Sequence, residues 1–329
     1  MQLAAARETE KQPSWFSSAW LWVECYLYRR LAQALALAPA PQLTTLDCFQ
    51  QQKEEGFEGS VGAMELLANW LLPHLKQEAP QEAGPQPPEL WSQLLQLALW
   101  ANKCDLSLSA GSRAVAEGDP VAALASLQPR LITEESGPAW SSYTDAPTSR
   151  TVDLVLDNAG FELFADLCLA DWLVTVGGAG RVRIRCKARP WFVSDVTPRD
   201  LEWSLARLGR AEQPGLAALA ARWSAHLQSG TWTSHQDQFW TLGRPYRDMQ
   251  ARDPRLYTEL ATASLIVFKG DLNYRKLVGD LNWETTAPFP TALQVSVSTR
   301  KKVCKLVITF NCRGSRRPPC WRCGRPRRM

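Results

Sequence analysis

The first third of the chain places apolar residues at helical spacing. Three segments carry this pattern: Trp20 to Leu31, Ala63 to Leu75 and Leu90 to Ala101. Proline-rich breaks at 38–42 and 80–88 separate them. We therefore predict a helical region over residues 1–135, joined by a linker over 136–150 to the rest of the chain.

From Thr151 the pattern changes to strand, helix and strand. The predicted strands are Val152 to Leu156, Arg181 to Cys186 and Ala263 to Lys269, and the predicted helix is Phe161 to Val174. The last strand is a continuous apolar run, which is typical of a strand buried in a parallel sheet. Strands that alternate with helices indicate an α/β fold. We predict a three-layer α-β-α core with a mostly parallel sheet over residues 151–292, and a disordered tail over 293–329.

The composition argues against several classes of protein. No apolar run reaches the roughly 20 residues that a membrane-spanning helix needs, and residues 1–11 lack the apolar segment of a secretion signal. Nine scattered cysteines do not make a disulfide framework. We therefore expect no membrane partner and a cytoplasmic location, with the nucleus as a second compartment.

The net charge of +4 conceals an asymmetry. Residues 294–329 contain eleven Lys and Arg and no acidic residue, which leaves 26 basic against 33 acidic side chains, a net charge of −7, in the preceding part. We expect no nucleic-acid binding by this acidic part, whereas the basic tail could bind nucleic-acid phosphates weakly. In the tail, Cys320 and Cys323 have zinc-knuckle spacing, but Cys304 and Cys312 do not complete a zinc ribbon.

Polar residues follow three predicted strand ends. Asp157 and Asn158 follow the first, Ser194 and Asp195 follow a second at Pro190-Trp-Phe-Val193, and the run Gly270 to Arg275 follows the third. The two aspartates lie 38 residues apart, about what one β-α-β crossover needs. Parallel neighbours would bring both to one edge of the sheet, where α/β proteins bind ligands.

Two carboxylates and one carboxamide suit Mg²⁺ or Mn²⁺, which take oxygen ligands. The helix after Asn158 would point its N-terminal amides at the same place, which favours an anion such as phosphate. Asp271, Asn273 and Arg275 could then hold a substrate, Arg275 through the fork of its guanidinium. The hypothesis is metal-assisted phosphoryl chemistry, with attack by a metal-bound water or by a carboxylate. The alternative is structural, because an Asp-Asn pair after a strand often forms a turn or a helix cap.

Other motif classes are missing from the sequence. There is no Walker A sequence, and the turn Gly177 to Gly180 precedes a strand instead of following one, so it is not a dinucleotide or methyl-donor loop. The histidines His74, His226 and His235 follow no metal-ligand spacing. We interpret them as structural or surface residues.

The strand-end residues belong to longer motifs that resemble a known family. These are Leu156-Asp-Asn-Ala-Gly-Phe-Glu-Leu163, Pro190-Trp-Phe-Val-Ser-Asp195 and Phe268-Lys-Gly-Asp-Leu-Asn-Tyr-Arg-Lys-Leu277. They resemble the damage-control phosphatases, in their eukaryotic sugar-phosphate branch, which is also named for acidic-residue methyltransferases. The resemblance covers roughly Ser14 to Leu293.

The resemblance implies metal-dependent hydrolysis of small phosphorylated sugars such as fructose 1-phosphate and fructose 6-phosphate. The implied cofactor is Mn²⁺ or Ni²⁺, with Co²⁺ or Mg²⁺ as alternatives. Asp157, Asn158 and Asp195 would bind the metal, and Asp157 and Asp195 would be catalytic. The implied substrate contacts are Asp157, Asn158, Asp195, Asp271, Leu272, Asn273, Tyr274 and Arg275. Two alternatives remain: an S-adenosylmethionine-dependent protein-glutamate O-methyltransferase, which acts on a protein partner, and a non-catalytic metal-binding protein.

The chain departs from the family pattern in three places. The family has more helical sequence before the segment that begins at Trp15, and it continues past Leu293 to an Arg-Thr-x-Lys motif whose lysine binds phosphate. Leu281 stands where close relatives have a basic residue. We therefore expect an incomplete helical cap, a divergent sequence after Leu293, and weak or absent catalysis despite the metal ligands.

Overall fold

The computed structural model describes residues 14–16, 18–76, 88–109, 120–131, 135–146, 149–284, 286–293 and 306–307. The described residues before the sheet are mainly helical. The helices are α1 (Trp20–Ala36), α2 (Gln50–Gly59), α3 (Val61–His74), α4 (Glu89–Ser109), α5 (Pro120–Leu127) and α6 (Ser136–Thr144), with short 3₁₀ turns at Pro41–Thr45 and Gln128–Arg130. The three predicted helices are thus confirmed as α1, α3 and α4. Residues 136–150, expected as a linker, contain α6 and the first residue of the sheet.

The second half alternates strands with helices. The strands are β1 (Arg150–Val155), β2 (Ala179–Lys187), β3 (Trp232–Asp237), β4 (Leu265–Phe268) and β5 (Leu306–Val307). The helices are α7 (Phe161–Thr175), α8 (Pro198–Leu208), α9 (Pro214–Gln228), α10 (Met249–Arg252), α11 (Pro254–Ala261), α12 (Gly270–Val278) and α13 (Phe289–Ala292), with 3₁₀ turns at Gln238–Thr241 and Tyr246–Asp248.

The sheet is parallel throughout its described strands, in the order β3-β2-β1-β4-β5. In the register, Leu154 of β1 lies between Ile184 of β2 and Val267 of β4. These three side chains pack with α3, α4, α7 and α9 on one face, while Val155 and Ile266 pack with α11 on the other. Helices therefore cover both faces, which confirms the predicted α/β fold.

Two sequence predictions were wrong in detail. Pro190–Val193 is not a strand: β2 ends at Lys187, and a turn follows in which Phe192 and Val193 have φ of 45° and 66°. The edge strand β3 was not predicted.

The prediction for the tail falls outside the described residues, apart from Leu293 and the two residues of β5, which pair with β4. The four tail cysteines lie outside them too. None of the described helices is long and apolar enough to cross a membrane.

Buried ion pairs hold the central strands together. Asp153 of β1 accepts hydrogen bonds from Arg183 Nη2 at 2.5 Å and from Arg185 Nε at 2.8 Å, both on β2. Arg185 Nη1 also lies 3.2 Å from Asp237 Oδ2 on β3. Because each carboxylate and guanidinium is paired, burial of these charges is tolerated, and the three strands are linked to one another by side chains.

A second buried carboxylate joins α7 to α9. Asp171 accepts hydrogen bonds from Arg222 Nη2 at 2.8 Å and Trp223 Nε1 at 3.0 Å, and His226 Nε2 lies at 3.2 Å. Burial alone would raise the pKa of Asp171, but hydrogen bonds from His226 and Arg222 outweigh it and lower that pKa to about 2. Asp171 is therefore a charged structural anchor between the two helices.

Candidate active site

Asp157 and Asp195 lie side by side at the carboxyl end of the sheet. The loops that carry them are joined by a short antiparallel bridge between Asn158 and Asp195. Its hydrogen bonds run from Ala159 N to Ser194 O and from Val196 N to Asp157 O, each 2.8 Å long. The two carboxylates are 5% and 2% exposed. β1 and β2 are parallel neighbours joined through α7, so one crossover brings both aspartates to the same end of the sheet. Asp195 follows β2 by a turn, however, and not the strand predicted at Pro190–Val193.

A strained turn presents Asp195. Phe192 and Val193 adopt left-handed φ values of 45° and 66°, which cost side-chain-bearing residues about 1–2 kcal/mol each. Asp195 N donates to Trp191 O at 3.1 Å, which closes the turn. The strain persists only if surrounding contacts hold the turn in place.

Lys187, the last residue of β2, is a buried cation beside Asp195. Its Nζ donates to Leu156 O at 2.9 Å and lies 3.1 Å from Asp195 Oδ2. Burial lowers the pKa of Lys187, but the Asp195 and Asp157 carboxylates outweigh burial, so that this pKa is raised. Lys187 therefore stays charged at neutral pH.

The aspartate pair holds more negative charge than its surroundings neutralise. Burial raises the pKa of Asp157 well above its usual range, and the nearby Asp195 and Glu162 carboxylates raise it further. Burial also raises the pKa of Asp195, to about 6, although Lys187 opposes this effect. Both shifts mean that ionising the pair costs free energy until a cation approaches.

A second lysine organises the other side of the site. Lys269 Nζ donates to Glu162 Oε1 at 2.9 Å, to Asp166 Oδ1 at 2.8 Å and to Ala98 O of α4 at 2.6 Å. Burial raises the pKa of Asp166 to about 7, and Lys269 acts against that rise. Asn158 Nδ2 connects this group to the aspartate pair, because it donates to Glu162 Oε2 at 2.9 Å and to Asp157 Oδ2 at 2.8 Å.

The charge balance of this buried cluster suits a divalent cation. The net charge of the cluster is −2 when every group is ionised, because four carboxylates outnumber two lysines. The members are Asp157, Asp195, Glu162, Asp166, Lys187 and Lys269. Within the described ranges Lys187 Nζ, 3.1 Å away, is the polar group paired with Asp195 Oδ2, and that oxygen accepts no further hydrogen bond. A buried carboxylate oxygen with a lone pair to spare is a suitable metal ligand.

Asn158 fits a metal less directly. Its amide oxygen accepts a hydrogen bond from Ser194 Oγ at 2.5 Å, and its amide nitrogen faces Asp157. To serve as an oxygen ligand, the amide of Asn158 would have to turn over. No group of three or more His, Cys, Asp or Glu side chains among the described residues is arranged to hold a metal, so the ligand set would be the two aspartates, the turned amide and water.

Gly270 allows α12 to approach Asp157. A Cβ at this position would lie 2.6 Å from Asp157 Oδ1 and still nearer to Oδ2 and Cγ, and the φ of Gly270 is +80°. Glycine is therefore required both by the backbone conformation and by the closeness of the carboxylate. It places the first turn of α12 directly beside the aspartate pair.

The predicted substrate run forms the start of α12, and its residues have different surroundings. The side chain of Asp271 is 66% exposed, and its negative charge raises the pKa of both Asp157 and Asp195. Asn273 is buried: it accepts a hydrogen bond from Tyr246 and donates to Lys269 O at 2.6 Å. Asp271 thus faces the site and solvent, whereas Asn273 holds the helix in position.

The remaining members of the run pack against other elements. Leu272 lies in an apolar cluster with Leu21, Cys25 and Trp191. The ring of Tyr274 is parallel to that of Phe289, 6.4 Å away. Arg275 Nη1 donates to Asp280 Oδ1 at 2.9 Å, and its guanidinium lies 4.2 Å from the centre of the Trp20 ring. These three residues connect α12 to its neighbours.

Sequence reasoning missed Lys187, Lys269 and Glu162 as members of the site. Glu162 and Lys269 lie within two of the motifs quoted for the family, directly beside the proposed ligands, and this position was the available signal. The turn Gly177–Gly180 lies at the start of β2 and therefore at the amino ends of the strands, whereas Asp157 lies at their carboxyl ends. It offers no support for a methyl-donor site beside the carboxylates.

The fold and the site define an α/β protein that gathers buried carboxylates at the carboxyl end of a parallel sheet. The ARMT1-like domain of damage-control phosphatases matches residues 1–313, and the chain belongs to this family. The predicted resemblance covered roughly Ser14 to Leu293, which lies within this match.

Relatives in several vertebrates are named "Damage-control phosphatase ARMT1". The Danio rerio protein is 40% identical over 288 residues, which cover 85% of this chain and 64% of the relative. The Rattus norvegicus protein is 40% identical over 299 residues, and the Homo sapiens protein is 37% identical over 298, each covering 89% of this chain and 67% of the relative. The chain thus spans about two thirds of the length of these relatives.

Proposed function

We propose that this protein is a metal-dependent phosphatase that hydrolyses small sugar phosphates, such as fructose 1-phosphate and fructose 6-phosphate, in metabolite repair. Its main support is the buried pair Asp157 and Asp195 within a cluster whose charges sum to −2. Membership of the damage-control phosphatase family and the names of the relatives support the reaction class.

Asp157 and Asp195 would hold the ion, Mn²⁺ or Ni²⁺ with Co²⁺ or Mg²⁺ as alternatives, together with the turned amide of Asn158. The ion, when bound, supplies positive charge that polarises the phosphoryl group and screens its oxygens. Lys187 and Lys269 oppose the rise in pKa that burial causes in the neighbouring carboxylates, and they orient these carboxylates through the contacts described above.

Two helix starts would bind the phosphate. α7 begins at Phe161 after Gly160, and α12 begins at Gly270, each without a side-chain cap. Each helix would thus direct the N–H groups of its first turn toward the carboxyl end of the sheet. Asp271, which is exposed beside the pair, would accept hydrogen bonds from the hydroxyl groups of the sugar. The protein would thus place an anion between a cation site and two helix N-termini.

The test is phosphate release from fructose 1-phosphate with each of the four metals. Wild type would be compared with Asp157→Asn, Asp195→Asn and the control Glu212→Gln, an exposed acid between α8 and α9. We expect metal-dependent release that EDTA abolishes, a loss of at least about 100-fold in each aspartate variant, and no loss in the control. Thermal melts and Mn²⁺ titration calorimetry on the same samples establish folding and binding. Failure of folded, metal-binding wild type to release phosphate would refute the phosphatase and leave a non-catalytic metal-binding protein.

A further inference from the structure

Helix α1 packs against the strained turn that presents Asp195. The ring of Tyr28 stacks on Phe192 with 4.9 Å between ring centres and an angle of 22°, and it lies 5.7 Å from the ring of Trp191. Trp20 contacts the same phenylalanine at 5.5 Å. Two aromatic side chains of α1 therefore pack against the first two residues of the segment 191–195, which we name the Asp195 turn.

The Asp195 turn needs such support because of its backbone. Val193 is β-branched and has a φ of 66°, a conformation that is uncommon for any residue except glycine and is a strong outlier for a β-branched one. The hydrogen bonds from Ser194 N to Phe192 O and from Asp195 N to Trp191 O lie within the turn and would not by themselves fix its direction. The bridge to Asn158 and the contact of Lys187 with Asp195 hold the end of the turn at residues 194–196. The aromatic contacts with α1 hold its beginning, at Trp191 and Phe192.

The same helix is also tied to α12. Leu21 N donates to Asp280 Oδ2 at 2.9 Å, and the other oxygen of Asp280 accepts from Arg275, whose guanidinium lies over Trp20. α1 therefore bridges the two segments that flank the aspartate pair, the Asp195 turn on one side and the start of α12 on the other.

We propose that α1 is a positioning element for the site and that Tyr28 is the positioning residue that holds Asp195 in line with Asp157. This inference rests on the proposed function, because it concerns the same site. Tyr28 touches neither proposed ligand. It acts through Phe192 and keeps the turn in a conformation that Val193 would otherwise leave.

The first test is hydrogen–deuterium exchange of Tyr28→Ala beside Tyr26→Ala. Tyr26 is a matched control on the same helix, since it stacks on Trp22 instead of the Asp195 turn. We expect the amides of residues 194–196 to exchange at least about tenfold faster in Tyr28→Ala, because the turn opens, while the amides of β1 and β4 are unchanged. Tyr26→Ala and the conservative Tyr28→Phe should match wild type.

The second test is rescue by Val193→Gly. Tyr28→Ala should weaken Mn²⁺ binding about tenfold by calorimetry, and adding Val193→Gly should restore most of it, since glycine takes a φ of 66° without steric cost. General destabilisation predicts the reverse, because glycine favours the unfolded chain.

The outcomes separate this inference from the proposed function. Equal exchange in Tyr28→Ala and Tyr26→Ala would overturn the positioning role, whether or not metal binds. A failure of the wild type to bind any of the metals would overturn the proposed function, and the exchange comparison would still decide the role of Tyr28.

Discussion

Replacement of Gly270 by alanine should disable the site while leaving the fold intact. The added Cβ would overlap the carboxylate of Asp157, so that this carboxylate must move by about 1.5 Å to reach the ~3.5 Å spacing of ordinary contacts. It would also lose or distort its hydrogen bond with Asn158 Nδ2. The substitution therefore displaces the proposed metal ligand, although it replaces no polar side chain of the site.

The magnitude has two parts. A non-glycine residue at a φ of +80° costs about 1–2 kcal/mol in the free energy of unfolding, and loss of a charge-assisted hydrogen bond costs about 1.5–3 kcal/mol more. A displacement of about 1 Å in a catalytic group lowers turnover about 100-fold. We expect both effects in Gly270→Ala.

The matched control is Gly230→Ala. Gly230 follows α9 with a φ of +75°, and nothing lies within 4 Å of an added Cβ. It should therefore show the backbone cost alone, with unchanged Mn²⁺ affinity and turnover. Urea unfolding, Mn²⁺ calorimetry and phosphate release would be measured on both variants. If Gly270→Ala matched Gly230→Ala in all three, the closeness of α12 to Asp157 would have no functional meaning.

Three further predictions concern charge and metal. Because the pKa of Asp171 falls from 3.8 to about 2 on folding, its ionised form stabilises the fold above about pH 4 and this contribution is lost as the pH falls toward 2. Asp171→Asn should thus cost about 2 kcal/mol at pH 7 in urea unfolding, with a difference from wild type that shrinks below pH 4. Lys269→Met should destabilise by about 3–5 kcal/mol in the same assay, since it leaves Glu162 and Asp166 buried without a cation, and a cost below 1 kcal/mol would contradict this pairing. Mn²⁺ at 100 times its Kd should stabilise the wild type by about 2.7 kcal/mol, EDTA should reverse the rise in melting temperature, and Asp157→Asn should show no rise.

The pattern of apolar residues along the chain predicted those elements that pack against neighbours close in sequence. The apolar runs of β1 and β4 and the crossover through α7 could be predicted, and with them the meeting of Asp157 and Asp195. Pro190–Val193 resembled a strand because its apolar residues are adjacent, but they face the aromatic side chains of α1, which lies more than 150 residues earlier. β3 was missed because its exposed edge position gives it a polar sequence.

Buried charges were the least predictable part of the site. The alternation of arginine with apolar residues in β2 indicates a strand with a solvated face, yet Arg183 and Arg185 are buried against Asp153. Lys187 lies on the same face of β2 as these two arginines and contacts Asp195 in the site. Such pairs depend on which strands become neighbours, and the order β3-β2-β1-β4 is not encoded in the period of any one strand.

The helical N-terminal region is part of the site and not an accessory to it. α1 supports the Asp195 turn, and α4 accepts the hydrogen bond of Lys269 through Ala98 O. α2 contributes Lys53, whose Nζ lies 2.8 Å from Asp200 Oδ2, and Asp200 caps the helix that begins three residues after Asp195. Each segment that flanks the carboxylates is thus held by a helix from the first third of the chain. α2 and α4 share one hydrophobic cluster with β1, β2 and β4, whereas α1 packs with Trp191 and Leu272 beside the site. Removal of these helices would therefore expose the sheet and release the aspartate pair together.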